Sequence, residues 1–380
     1  MRHRDELRPL LALVAVHGAA DGALLPLLPT LRDDVGLGGL EVAALLAMPT
    51  IVMLATAVPV GVLAGRIGAA RMLALVGLLL PLSLLGMALA PGIAALLVAR
   101  AVFGASFCGL WVVGPLRAAA GGRGAAGTGR LIGCSGMGWL GGPLAAGLIA
   151  DAAGWRIAFC VLALAAVLVL PALLRLRESG EAAVPSHLLP ALRTFRGDPQ
   201  VRLLVAVSAV LGVVTGVSGL LPALVLAGNG LSAGSIGLAM SLAAAVWIVA
   251  ARATGRVGAA DDVRSVGLVL AALAAAWLLP AASLSTVVVV GFLVVSAGCR
   301  SSLNTLVYAF GARACAGAAT TVVGMMNLGW AVAALIAPFA AGAVESDAGV
   351  RAVFALTAAL AAAVAWRALR VGRGSATLAT

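Results

Sequence analysis

The 380 residues contain no lysine: all 25 basic positions are arginine. That absence excludes a lysine nucleophile, a Schiff base and the phosphate-gripping lysine of a G-x-x-x-x-G-K-[ST] loop, so no ATP-driven motor of that type resides in the chain. Charge of either sign is scarce. Asp, Glu, Lys and Arg together make 10% of residues, against roughly 25% in a soluble globular domain. Aromatics make 4%, with a single tyrosine. Three histidines (His3, His17, His187) lie too far apart in sequence to suggest a metal cluster. Five cysteines (Cys108, Cys134, Cys160, Cys299, Cys315) form no C-x-x-C pair and sit in or beside apolar runs, which argues against a disulfide framework or a zinc site. The net charge of +11 is scattered between apolar runs and forms no stripe, so nucleic acid is not an expected partner.

What fills the chain is apolar side chain: 63% of positions, about 240 residues, with a mean hydropathy of +1.14. So few polar groups could not cover a soluble core of that size. One membrane-spanning helix takes about 20 apolar residues, which gives about twelve spans. The fold class read from this is an all-α polytopic membrane protein with the lipid bilayer as its surroundings. The spans fall at approximately 10–30, 42–64, 72–90, 94–114, 128–150, 156–174, 203–226, 234–254, 264–281, 284–306, 319–341 and 350–370. The arginine-flanked start followed by Leu10–Val16 imitates a signal peptide, but the apolar run resumes after His17 and Asp21, as in an uncleaved first span. The longest polar stretch, 175–202, divides a six-helix half at 1–174 from a second at 203–380.

Arginine placement sets the orientation. With the amino terminus inside, 20 arginines fall in cytoplasmic segments, three in outer loops (Arg32, Arg156, Arg351) and two within spans (Arg100, Arg300). The positive-inside rule therefore puts both termini in the cytoplasm, in a bacterial inner (plasma) membrane. The halves also repeat. Gly65-Arg66-Ile67-Gly68-Ala69-Ala70 returns as Gly255-Arg256-Val257-Gly258-Ala259-Ala260, and Val76-Gly77-Leu78 as Val266-Gly267-Leu268. Pro143-Leu-Ala-Ala-Gly147 returns as Pro338-Phe-Ala-Ala-Gly342, and Gly154-Trp-Arg156 as Gly349-Val-Arg351. Two parallel six-helix repeats imply a substrate cavity near the midplane whose access alternates.

These residues resemble the major facilitator superfamily along essentially the whole chain. The family's loop after span two, G-x-L-a-D-R-x-G-R-[KR], is matched by Gly61-Val62-Leu63-Ala64-Gly65-Arg66-Ile67-Gly68-Ala69-Ala70-Arg71, with Gly65 in place of the usual Asp. Arg100 and Gly104 match an Arg-x3-Gly of the family's fourth span. Span five resembles the signature of drug-exporting antiporters, G-x8-G-x3-G-P-x2-G-G, at Gly129, Gly138, Gly142, Pro143 and Gly147, with Ala146 at one glycine. His17-x3-Asp21 followed by Pro26 and Pro29 is similar to fosmidomycin-resistance-type exporters. The resemblance implies two pseudo-symmetric six-helix halves, alternating access, no cofactor beyond a proton gradient, and a monomer. It also implies that Gly61, Arg66, Gly68, Arg71, Gly138, Gly142, Pro143 and Gly147 serve conformational change.

An ionisable group inside a span costs roughly 2.5–3.5 kcal/mol on insertion scales and is a functional candidate by default. Asp21 is the carboxylate clearly inside the hydrocarbon zone, and it is placed to carry protons or to form a permanent ion pair. His17 lies one helical turn from it on the same face, as a relay or as a packing residue. Arg100 falls within a turn or two of Asp21 in depth; either Asp21 alternates between pairing with Arg100 and protonation, or Arg100 is static and bonded to backbone carbonyls. Arg300 either attracts an anionic substrate group, or snorkels to the nearby cytoplasmic surface or bonds structurally. Asn304, Trp111, Trp139, Trp247, Asn327 and Trp330 are candidate cavity-wall residues, each of which equally suits packing. No clustered catalytic set accompanies them, so an enzyme is not expected. The function these features favour is export of a small amphipathic compound or drug in exchange for protons. The alternative is a symporter or facilitator that imports a small organic anion.

Overall fold

The computed structural model describes residues 7–119, 124–176, 198–256, 263–314, 319–344 and 346–376. The central part of the linker, 177–197, and residues 257–260 of the second loop copy lie outside them. Among the described residues run twelve helices, each long and apolar enough to cross a membrane. The first six are α1 (Arg8–Val35), α2 (Gly39–Ile67), α3 (Ala69–Leu89), α4 (Ile93–Ala119), α5 (Gly124–Ala153) and α6 (Trp155–Leu174). The second six are α7 (Pro199–Gly228), α8 (Ala233–Arg256), α9 (Val263–Ala282), α10 (Thr286–Ala314), α11 (Ala319–Gly342) and α12 (Asp347–Ala376). The count of twelve agrees with the composition arithmetic, and most helices run a few residues past the expected spans. Helices alone satisfy every backbone group internally, which is what a hydrocarbon surrounding demands.

Large apolar side chains stand on the outside, Leu168 of α6 at 72% exposure and Val287 of α10 at 81%. In water such a surface would be an aggregation liability; against lipid tails it is the ordinary solvent boundary. The chain divides into two compact units, Met1–Pro185 with Gly230–Ser241, and Ser186–Asn229 with Leu242–Thr380. The opening turns of α8 therefore group with the first unit.

The sequence repeat extends to packing inside each unit. In the first, α1 and α5 meet where Gly18 lies on the backbone of Ser135 and Gly22 lies on Pro143. In the second, α7 and α11 meet where Gly212 lies on the backbone of Trp330 and Gly216 lies on Pro338. Gly77 of α3 faces Leu173 of α6, as Gly267 of α9 faces Leu369 of α12. Arg156, at the start of α6, donates to the carbonyls of Ala88 and Ala90 that end α3, at 3.0 and 2.9 Å. Its repeat counterpart Arg351 donates to the carbonyl of Ala282 that ends α9, at 3.1 Å. These arginines satisfy helix-terminal carbonyls that have no partner within their own helix. Arg156 also packs on the Trp155 ring at 4.2 Å and sits 3.7 Å from Asp34, which accepts the Trp155 indole N–H at 3.1 Å. The second unit's core is anchored by Trp277, Phe292 and Phe354, stacked at 5.0–5.5 Å between ring centres, with the Trp277 N–H bonded to Ser296 at 3.2 Å.

Two glycines carry tight turns. Gly68, between α2 and α3, has φ +91°, and Gly154, between α5 and α6, has φ +88°. A side chain is strained there, which gives Gly68 of the loop motif a local reason. Arg66 and Arg71 flank that turn and are exposed; Arg71 reaches back toward the carbonyl of Ile67 at 3.5 Å. Gly61 lies on α2 with open space where a side chain would stand.

Candidate functional site

The site in the first unit is positioned by the contact of α1 with α5. Gly138 rests on the backbone of Ala15 and Ala19, and Gly142 rests on Ala19. Pro143 and Trp139 press on Gly22, and Gly147 lies on the backbone of Ala233 at the opening of α8. With one face of α1 held by these small residues, Val14, His17 and Asp21 line a cavity of about 140 Å³, closed by Phe107, Leu110 and Trp111 of α4 and by Ser135 and Trp139 of α5. Asp21 is at the midpoint of α1, thirteen residues after Arg8 in a helix of 28.

Arg100 of α4 comes within 3.8 Å of the Asp21 carboxylate. That is an ion pair without a close hydrogen bond. Arg100 is held by other means: its Nε donates to the carbonyl of Leu45 at 3.1 Å, and its guanidinium lies over the Phe103 ring at 4.7 Å. Pro49, four residues after Leu45 inside α2, lacks the N–H that would otherwise occupy that carbonyl. The side chain of Arg100 is 5% exposed and that of Asp21 27%. The pair is therefore asymmetric, with a cation anchored in place and a carboxylate that borders a cavity. At an effective dielectric of about 20, two unit charges this far apart attract by about 4 kcal/mol.

His17 is buried between aromatic rings, with Phe103 at 4.4 Å and Phe107 at 5.6 Å between centres. Its Nε2 is buried without a hydrogen-bond partner among the described residues. Phe103 thus contacts both His17 and Arg100, and the structure brings the three expected residues, Asp21, His17 and Arg100, into one cluster. Trp111 belongs to it as well, 6.2 Å from Phe107.

The second unit holds the other membrane arginine. Of the placements open for Arg300, the structure has it bonded to a neighbouring helix. It lies midway along α10 and donates to the hydroxyls of Thr215 and Ser218 on α7, both at 3.0 Å. Those hydroxyls donate in turn to the carbonyls of Leu211 and Val214. The Trp247 ring lies 5.4 Å from the guanidinium, and the Trp247 carbonyl accepts from Ser301 at 2.6 Å. Asn304 donates to the carbonyl of Arg300 at 3.2 Å. Trp330 meets α7 through its backbone at Gly212, and Asn327 is exposed on α11.

Several parts of both clusters were not singled out from sequence: Phe103 and Phe107, the Leu45 carbonyl, Thr215 and Ser218. The signals were present. Pro49 marks a free carbonyl four residues back, and Thr215 with Ser218 is a polar pair one turn apart in an apolar helix.

A sequence model of the Major Facilitator Superfamily matches residues 10–259. Comparison with curated proteins returned no match. Among solved structures, the chain is similar to a bacterial homolog of the human lysosomal transporter Spinster, 15% identical with a TM-score of 0.77 over 97% of each chain. It is also similar to the peptide transporter POT in complex with sulfate, 15% identical with a TM-score of 0.78 over 97% of this chain and 95% of that one. The nucleoside transporter NupG is 12% identical with a TM-score of 0.75 over 96% of this chain and 99% of that one. At such identities the likeness is one of fold.

Proposed function

This chain belongs to the Major Facilitator Superfamily, and from that premise we propose that it is a secondary transporter exporting a small amphipathic compound in exchange for protons. It is a multi-pass membrane transporter and not an enzyme. The observation that carries the proton-coupled reading is the asymmetry of the pair: Arg100 is fastened by the Leu45 carbonyl and the Phe103 face, while Asp21 borders the cavity.

A proton arriving at Asp21 cancels its attraction to Arg100 without releasing Arg100. The carboxyl is then free to move, and α1 loses its electrostatic tie to α4. Loss of the proton restores the tie. A carboxylate that alternates between these two conditions exchanges a proton for cargo if the cargo occupies the protein when Asp21 is ionised. The apolar and aromatic wall beside it, with Phe107, Leu110, Trp111 and Trp139, suits the apolar body of an amphipathic compound. The span-five pattern around Gly138, Gly142, Pro143 and Gly147 supports the export direction. A monomer in the plasma membrane with both termini cytoplasmic, driven by the proton gradient, completes the reading.

The test uses inverted membrane vesicles with an acid interior reported by a quenched dye. Drugs, cationic dyes and organic acids are added to vesicles carrying wild type or Asp21→Asn. The reading requires at least one compound that collapses the gradient with wild type and not with Asp21→Asn. An equal response from both variants would remove Asp21 from the proton path.

A further inference from the structure

Each half carries an arginine within its fourth helix, Arg100 and Arg300, at different depths, but only the first half carries a carboxylate inside its spans. Gly18 and Gly22 of α1 correspond in packing to Gly212 and Gly216 of α7. By that register the position of Asp21 is taken in the second half by Thr215. Arg100 of the first unit has Asp21 at 3.8 Å; Arg300 of the second has the hydroxyls of Thr215 and Ser218 at 3.0 Å. Both hydroxyl protons are committed to helix carbonyls, so the oxygens present lone pairs to the guanidinium and carry no charge. Among the described residues, the membrane spans of the second unit contain no carboxylate within their interior. The Nε–H of Arg300 is buried without an acceptor among the described residues, although the residue as a whole is partly exposed. A guanidinium keeps its charge under all ordinary conditions, so this is a permanent positive charge at mid-helix without a counter-ion among the described residues of its unit.

We propose that Arg300, steadied by Thr215 and Ser218 and flanked by Trp247, binds the anionic oxygen group of the cargo, which makes the transported compound an amphipathic anion. This rests on the transporter reading above and adds the charge of the substrate to it. A planar guanidinium pairs two N–H groups with carboxylate, sulfonate or phosphate oxygens, and the nearby indole gives the attached apolar body a surface. The halves then divide the work, with proton exchange at Asp21 and anion binding at Arg300. Phosphate of a lipid headgroup has the same chemistry, and Arg300 lies seven residues before the end of its membrane span at Val307, so the lipid composition of the nanodisc has to separate the two sources.

The test is direct binding to the purified full chain in nanodiscs of phosphatidylcholine. The probes are matched series of butyl to octyl sulfonates and alkyltrimethylammonium ions, which differ in the sign of a permanent charge. Wild type is expected to bind sulfonates at least tenfold more tightly than the matched cations. Arg300→Gln should abolish that preference and Arg300→Lys should keep part of it. Thr215→Val, which preserves side-chain shape, should lower it at least threefold, and this variant carries the test if Arg300→Gln does not fold. No preference for sulfonates in wild type, or an unchanged preference in Arg300→Gln or Thr215→Val, would overturn the proposal. Loss of sulfonate binding on replacing phosphatidylcholine with phosphatidylglycerol would assign the site to a lipid headgroup and overturn it as a cargo site. If sulfonates bind through Arg300 but collapse no proton gradient in wild-type vesicles, the anion site stands and the proton-exchange reading fails. If only cations collapse the gradient, the proton-exchange reading stands and the anion site fails.

Discussion

Adjacent glycines on α5 offer a test in which the same substitution has opposite consequences. A Cβ on Gly141 would meet nothing within 4 Å. One on Gly142 would strike the backbone of Ala19 on α1, coming within 2.5 Å of its Cα and 2.8 Å of its carbonyl carbon. Carbon atoms rest at about 3.5–4.0 Å, so Gly142→Ala requires α1 to retreat by about 1 Å. Both variants gain the same helix propensity, about 1 kcal/mol, and the gain cancels in their difference. What remains is overpacking at one site alone, about 1–3 kcal/mol. Thermal unfolding of the purified protein, followed by tryptophan fluorescence, should place Gly142→Ala a few degrees below Gly141→Ala. The retreat also displaces Asp21 relative to Arg100, a pair only 3.8 Å apart, so Gly142→Ala should lose transport that Gly141→Ala retains. Equal melting temperatures and equal transport would refute the claim that α1 is set by close backbone contact with α5. The second half has the parallel pair: Gly212→Ala should destabilise, because Gly212 lies on the backbone of Trp330, and Gly291→Ala should not, because it faces open space.

Asp21→Asn should fold, because Arg100 keeps the Leu45 carbonyl and the Phe103 face; it should abolish proton-coupled flux in vesicles, and wild-type coupling in that variant would remove the proposed proton site. Arg156→Gln loses two carbonyl acceptors and the Asp34 pair, and at about 0.5–1.5 kcal/mol per hydrogen bond it should lower the melting temperature more than Arg351→Gln, which loses one exposed bond. Trp277→Ala empties a fully buried aromatic site in the second unit and should cost about 3–5 kcal/mol, read as loss of a sharp unfolding transition or of monodisperse protein on gel filtration.

The fold was readable because membrane helices announce themselves by length and apolar content, and those are local properties. Repeat copies such as Gly154-Trp-Arg156 and Gly349-Val-Arg351 told which elements correspond, and the structure gives the two arginines the same task at the ends of α3 and α9. Asp21, His17 and Arg100 could be nominated because ionisable groups stand out in apolar spans, and their depths could be counted. The partners of those residues were harder to see. Phe103 and Phe107 look like any apolar residues until the rotation of α4 about its axis is known, and hydropathy does not supply that rotation. The anchor of Arg100 is a backbone oxygen, which has no letter in the sequence; only the proline four residues later betrays it. For Arg300 the sequence left two directions open, since a flexible four-torsion side chain at mid-helix can turn either to the surface or to a neighbour. The hydroxyls of Thr215 and Ser218, 85 and 82 residues away, decide it.

The central claim is that protons and cargo move in opposite directions. The measurement that addresses it is internal pH in proteoliposomes of the purified wild-type protein, with a trapped pH-sensitive dye, after an outward gradient is imposed of a compound that collapsed the vesicle gradient. The account predicts that the interior acidifies as the compound leaves, at a rate that vanishes in Asp21→Asn. An interior that turns alkaline as the compound leaves, or that does not change, would contradict it.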